Sequence, residues 1–235
     1  MANPFFHFKQ FSVHQEKCAM KVGTDGVLLG AWVNCKSAAS ILDIGTGTGL
    51  LALMMAQSSQ ASIHAIDIEE GAWLQAIANV RQCLWADRIQ VIHKSLQDYQ
   101  GCGRKYDLIV SNPPFFENSL KSPGYMRTMA RHTDFLPMAD LLTGVSGLLE
   151  TGGRFCLILP YVEAQLFIVD AAFVGLFCWR KTDVRPSPFK KVNRVMMEFS
   201  TLRQKLKVDT LCIRGNDGEY SADYKELTKA YYLNF

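Results

Sequence analysis

From residue 40 to residue 200, short apolar runs alternate with longer stretches of helical spacing. "SILDIG" (40–45), "ASIHAID" (61–67), "RIQVIHK" (88–94), "KYDLIVSN" (105–112) and "RFCLILP" (154–160) are apolar runs bounded by turn residues, and each predicts a buried strand. Between them, "LLALMMAQ" (50–57), "EEGAWLQAIANVRQCL" (69–84), "MADLLTGVSGLLETGG" (138–153) and "EAQLFIVDAAFVGL" (163–176) predict helices. In 69–84, Trp73, Ala76, Ile77, Val80 and Leu84 share one helical face. "FCWRKTDV" (177–184) and "NRVMMEFS" (193–200) close the series, and "RPSPFKKV" (185–192) leaves no room for a helix between them. Those two strands are expected as an antiparallel pair at one edge. Strands alternating with helices predict an α/β fold: a doubly wound, mostly parallel, seven-stranded sheet covered on both faces. The expected organisation is one domain over 1–235. It has an N-terminal extension over the ligand site (1–38), a core sheet (39–201) and a C-terminal strand and helix (202–235).

Ligands of open α/β sheets bind at the carboxyl ends of strands. "LDIGTGTGL" (42–50) joins the first strand to the first helix. Gly45, Gly47 and Gly49 permit close backbone approach, with Thr46 in the same turn, and the following helix points its N-terminal amides at the ligand. A dinucleotide site reads GxGxxG. Here the spacing is one residue tighter, and Asp43 would repel a pyrophosphate. The expected cofactor carries positive charge and no phosphate, which S-adenosylmethionine satisfies with its sulfonium and ammonium. Asp67 ends the second strand, where its carboxylate can accept both ribose hydroxyls, with Ile68 beside it.

The fourth strand runs into Asn112, Pro113, Pro114 and Phe115. Proline cannot continue a ladder, so the strand ends here, facing the methyl donor. An exocyclic adenine amine is a poor nucleophile because its lone pair is delocalised. The Asn112 side-chain oxygen and the Pro113 carbonyl can accept its two hydrogens and free that lone pair. The prolines fix both acceptors in advance. Phe115 offers a stacking face for the base.

The net charge of +3 on 235 residues singles out no partner, so a nucleic-acid reading rests on local clusters. The seven cysteines include no CxxC pair and are expected as reduced thiols. The five histidines lack metal spacing, and no metal is expected. The start has no signal-peptide pattern, and no apolar run reaches the roughly 18 residues of a membrane span.

DxGxGxG followed by NPP[FY] resembles class I S-adenosylmethionine-dependent N-methyltransferases, with their Rossmann-like sheet. "FKQFSVHQEKCAMKVGTDGVLLGAW", "SNPPFF" and "YSADYKELTKAYYLNF" are similar to the bacterial tRNA methyltransferase family that modifies N6 of adenosine 37 in valine tRNA. The resemblance implies an enzyme acting on the anticodon loop; the reduced thiols lead us to expect the cytoplasm, and the oligomeric state is left open with a monomer favoured. It implies that Lys21, Gly23, Thr24 and Asp25 line the cofactor entrance. One departure is visible: an acidic residue expected after the third strand, for the cofactor adenine amine, is replaced by Ser95 or Leu96, with Asp98 further on. Phosphate contacts require lysine or arginine. Candidates are Lys121, Arg127 and Arg131 after the elbow, and Lys190, Lys191 and Arg194 near the sheet edge, with Arg180, Lys181 and Arg185. Competing readings are another RNA or DNA adenine, a protein glutamine, and a non-catalytic RNA-binding module.

Overall fold

The computed structural model describes residues 3–18, 20–114 and 136–235. Among the described residues, ten strands form two sheets. A small hairpin pairs β1 (Phe5–His7) with β2 (Ser12–His14). The main sheet holds β3 (Ser40–Ile44), β4 (Ser62–Asp67), β5 (Ile89–His93), β6 (Tyr106–Ser111), β7 (Leu149–Pro160), β8 (Phe177–Arg185), β9 (Arg194–Ser200) and β10 (Lys207–Cys212). Their spatial order is β10-β8-β9-β7-β6-β3-β4-β5. Only β9 runs antiparallel to its neighbours.

Alternation along the strands decides which face each residue serves. Ile41, Leu108, Val110 and Ile158 pack on one side with α1 (Thr24–Trp32), α2 (Leu50–Ser58), Val80 of α3 (Glu70–Arg81) and Tyr224 of α7 (Ala222–Thr228). Leu42, Ile109, Phe155 and Leu157 pack on the other with α4 (Leu96–Tyr99), α5 (Met138–Leu148) and α6 (Tyr161–Phe173). The sheet is therefore buried on both sides, which explains why its central strands are continuously apolar.

Four expectations change. The sheet has eight strands rather than seven, because β10 adds in parallel to β8. The antiparallel pair β8–β9 therefore lies one strand inside the edge. The helix expected to 153 stops at Leu148. Residues 150–153 form a bulge between the Tyr106–Leu149 and Leu108–Arg154 pairs, with Gly152 at φ 76°. In α3 the buried face is Ala72, Gln75, Ala76, Asn79 and Val80, while Leu84 lies beyond the helix and is 81% exposed.

Candidate active site

The turn after β3 is built around two carboxylates. Asp43 is fully buried. Its Oδ2 accepts from the Thr46 hydroxyl at 2.6 Å and the Ala52 amide at 3.1 Å. Its Oδ1 has no hydrogen-bond partner among the described residues. Burial pushes its carboxyl from the ordinary 3.8 up to about 7, and the nearby Asp67 adds to the rise. Asp67, at the end of β4, accepts from the Gly47 amide at 2.7 Å and the Glu69 amide at 3.0 Å. Burial raises its carboxyl too. The amides of Gly45 and Thr46 both donate to the Ile66 carbonyl at 3.0 Å, which clamps the turn to β4. Gly45 and Gly47 take φ of 69° and 57°, a region that penalises any side chain. Space beside Gly45 is open, with no atom within 4 Å of where a Cβ would stand.

The elbow after β6 stands beside this turn. β6 neighbours β3 with Ser111 opposite Ile44, and the Ser111 hydroxyl donates to the Ile44 carbonyl at 2.9 Å. Asn112 follows at once, half-buried, and its Oδ1 also lacks a partner among the described residues. Pro113 is buried and Pro114 half-buried. Asn112 closes a cavity with Lys21, Gly23, Gly26, Gly45 and Gly47. A Cβ on Gly26 would stand 2.9 Å from Leu50 and 3.7 Å from the Asn112 amide nitrogen, so α1 approaches the elbow only because that position is glycine. Phe115, Lys121, Arg127 and Arg131 lie outside the described residues.

The segment before α1 arches over the glycine turn. Lys21 donates through its ammonium to the Gln15 carbonyl, and the Val22 amide donates to Gln15 Oε1 at 2.7 Å. Cys18 is buried 3.9 Å from a Cβ position on Gly47, and burial with the Asp67 and Glu69 charges pushes its thiol up to about 11. Gln75 and Asn79 of α3 hold this segment. Asn79 accepts from the His14 amide and donates to the His14 and Thr48 carbonyls, all within 2.9 Å, and Gln75 accepts from the Lys17 amide at 3.1 Å. Spacing alone did not identify these two residues. The available signal was two polar residues four apart amid an otherwise apolar face.

Other expected site residues fall as follows. Thr24 is exposed at the start of α1, and Asp25 accepts from Arg194 Nε at 2.9 Å. Arg194, expected on the nucleic-acid surface, thus reaches back to α1 from the first position of β9. Ile68 is 47% exposed beside Asp67, available as an apolar face. The Ser95 hydroxyl donates to Asp98 Oδ2 at 2.6 Å and accepts the Asp98 amide, so it caps α4. Leu96 is buried against α5 in the core. The Leu96 side chain is committed to the core, while the Ser95 hydroxyl keeps one lone pair beyond these two bonds. Lys190 and Lys191 are exposed in the β8–β9 loop.

Eight strands in this order, with β9 reversed and the glycine turn and elbow at adjacent strand ends, define a class I methyltransferase fold. A predicted O-methyltransferase from Agrobacterium tumefaciens shares it with a TM-score of 0.68 at 17% identity, over 90% of this chain and all of that one. The N-methyltransferase NodS from Bradyrhizobium japonicum, in complex with S-adenosyl-L-homocysteine, shares it with a TM-score of 0.53 at 14% identity, over 73% of this chain and 82% of its own. Residues 20–157 match the methyltransferase small domain family. A protein from Trichodesmium erythraeum is 47% identical over 98% of both chains, and one from Phocaeicola vulgatus is 46% identical over the full length of both. Both are named tRNA1(Val) (adenine(37)-N6)-methyltransferase, and the chain belongs to that family.

Proposed function

We propose that the protein transfers a methyl group from S-adenosylmethionine to N6 of adenosine 37 in the anticodon loop of valine tRNA, in the cytoplasm. The observation that carries the chemistry is the buried Oδ1 of Asn112 beside the glycine turn, which has no partner among the described residues. A buried acceptor left without a donor costs about 1–3 kcal/mol. It is tolerated where a ligand supplies the donor, here the adenine amino group.

The residues present fit the cofactor. Asp43 Oδ1 is a second buried acceptor without a partner among the described residues, suited to a cation. Asp67 would take the ribose hydroxyls, Ile68 would face the adenine, and the open backbone at Gly45 and Gly47 admits close approach. Lys21, Thr24 and Asp25 would stand at the mouth. Bound there, S-adenosylmethionine supplies an electrophilic methyl carbon. Asn112 Oδ1 and the Pro113 carbonyl accept the two amino hydrogens of the target adenine, turning its nitrogen lone pair out of the ring. The proline pair holds both acceptors fixed, so little reorganisation accompanies the reaction. The nitrogen would gain the methyl carbon as that carbon's bond to sulfur breaks, leaving a neutral thioether, and the surplus proton on the nitrogen would pass to water. Alignment supplies much of the acceleration.

Incubating unmodified valine tRNA with S-adenosylmethionine and mapping modified nucleosides by mass tests this reading. N6-methyladenosine at position 37 is expected. Methylation at another adenine would overturn the assignment of the target, and methylation of a protein glutamine instead of RNA would overturn the substrate class.

A further inference from the structure

The basic cluster between β8 and β9 divides into two sets. Arg180 lies 3.5 Å from Glu198 and 4.0 Å from the Trp32 ring centroid, Lys181 pairs with Asp183 at 3.2 Å, and Arg194 pairs with Asp25. These three cations are engaged within the fold. Arg185, Lys190 and Lys191 are exposed and form no ion pair among the described residues. Between them stands Phe189, 83% exposed.

The loop holding Phe189 is anchored at both ends and by one turn within it. The Lys190 amide closes a turn on the Ser187 carbonyl at 3.1 Å, and the Asn193 amide bonds to Val184 at 3.0 Å. The Arg185 and Pro186 carbonyls accept from Ile213 and Arg214, just beyond β10. Phe189 is thus a ring presented to solvent by a fixed turn, beside a hollow that Tyr161, Arg185, Lys190 and Lys191 share. Asp183 also borders the hollow, but Lys181 neutralises it. The hollow opens at the carboxyl ends of β7 and β8, the same edge of the sheet as Asn112. β8 stands three strands from β6, about 14 Å at a spacing of about 4.8 Å.

We propose that Phe189, framed by Arg185, Lys190 and Lys191, is a stacking platform for an unpaired nucleotide of the RNA strand that carries the target base. Apolar ring and free cations together match one partner: a nucleobase has a π face for the ring, and its phosphates match the cations. A protein partner would have no need of three unpaired cations around one ring. The platform rests on the tRNA reading above for the identity of the strand, and extends it to a second point of contact.

Filter binding of an unmodified valine tRNA transcript to the full chain, at several salt concentrations, tests it. F189A is expected to weaken binding about tenfold, F189W to stay within about twofold of wild type, and neither to change the slope of log Kd against log salt. K190A/K191A is expected to reduce that slope by about one to two. Because Phe189 is exposed, F189A should unfold at the wild-type temperature. F189A binding as wild type does, or F189A lowering the salt slope as the lysine pair does, overturns the platform. Methyl transfer to the same transcript is scored in parallel. A Phe189 effect without wild-type methylation keeps the platform and rejects the proposed reaction, and a wild-type chain that does not bind the transcript overturns both.

Discussion

Two buried oxygens lack partners among the described residues: Asn112 Oδ1, on a side chain that lines the cavity beside the glycine turn, and Asp43 Oδ1, beneath that turn. Each oxygen can accept a hydrogen bond, and the two suit different donors. Asp43 is an acid whose carboxyl burial has pushed up to about 7, so pairing with a cation demands a proton loss. Affinity for S-adenosylmethionine should tighten as pH rises from about 6 to about 8, with a proton released on binding, and Asp43→Asn should abolish the trend. The linked effect on folding has the opposite sign. The folded chain holds a proton on Asp43 between pH 3.8 and about 7 that the unfolded chain lacks, so stability falls as pH rises through that window. Calorimetric titration in buffers of different ionisation enthalpy reads the proton directly, and pH-independent binding would contradict the role. These residues were legible in the sequence because the site uses residue types with few other reasons to sit there: an aspartate before glycines, an asparagine before prolines. Ser95 was not. A serine after a strand serves equally well as a ligand or as a helix cap, and only the position of Asp98 shows that it caps α4.

At the scale of elements, α3 does more than cover the sheet. Asn79 joins α3 to the turn through the Thr48 carbonyl and to the N-terminal hairpin through His14. Asn79→Ala strands three buried or half-buried backbone groups. It should cost about 2 kcal/mol in denaturant unfolding and loosen the segment that arches over Gly47, weakening cofactor affinity as well. A stability loss with unchanged cofactor affinity would mean that the hairpin is only an outer support. Periodicity gave α3 its place but rotated its buried face, because Gln75 and Asn79 are counted as solvent-facing by any polar/apolar pattern. A strand was expected within 202–235, but that β10 joins the main sheet was not legible, for a related reason. It is an edge strand in which Leu211 is the buried apolar residue, while Lys207, Val208 and Asp209 are exposed, so alternation is weak. The central strands, buried on both faces, carried no such ambiguity.

For the whole molecule, a net charge of +3 is too small to hold RNA by itself. Binding must come from local faces, and intramolecular pairing already engages part of the apparent basic cluster. About four phosphate contacts would weaken tRNA binding on the order of 50-fold between 50 and 200 mM salt. A flat response would reject the electrostatic face. The alternation of strands and helices revealed the fold, since layered packing leaves that rhythm in any sequence. It could not reveal which cations pair internally, because Asp25 and Arg194 meet only once α1 has crossed to the first position of β9. The central claim is that Asn112 activates the amine rather than holds the cofactor. Single-turnover methyl transfer to valine tRNA, with cofactor affinity measured alongside, tests that claim most directly. Asn112→Ala should slow transfer at least about a hundredfold while S-adenosylmethionine binds as before. A mutant that transfers at the wild-type rate, or that fails only because it no longer binds the cofactor, would contradict the claim.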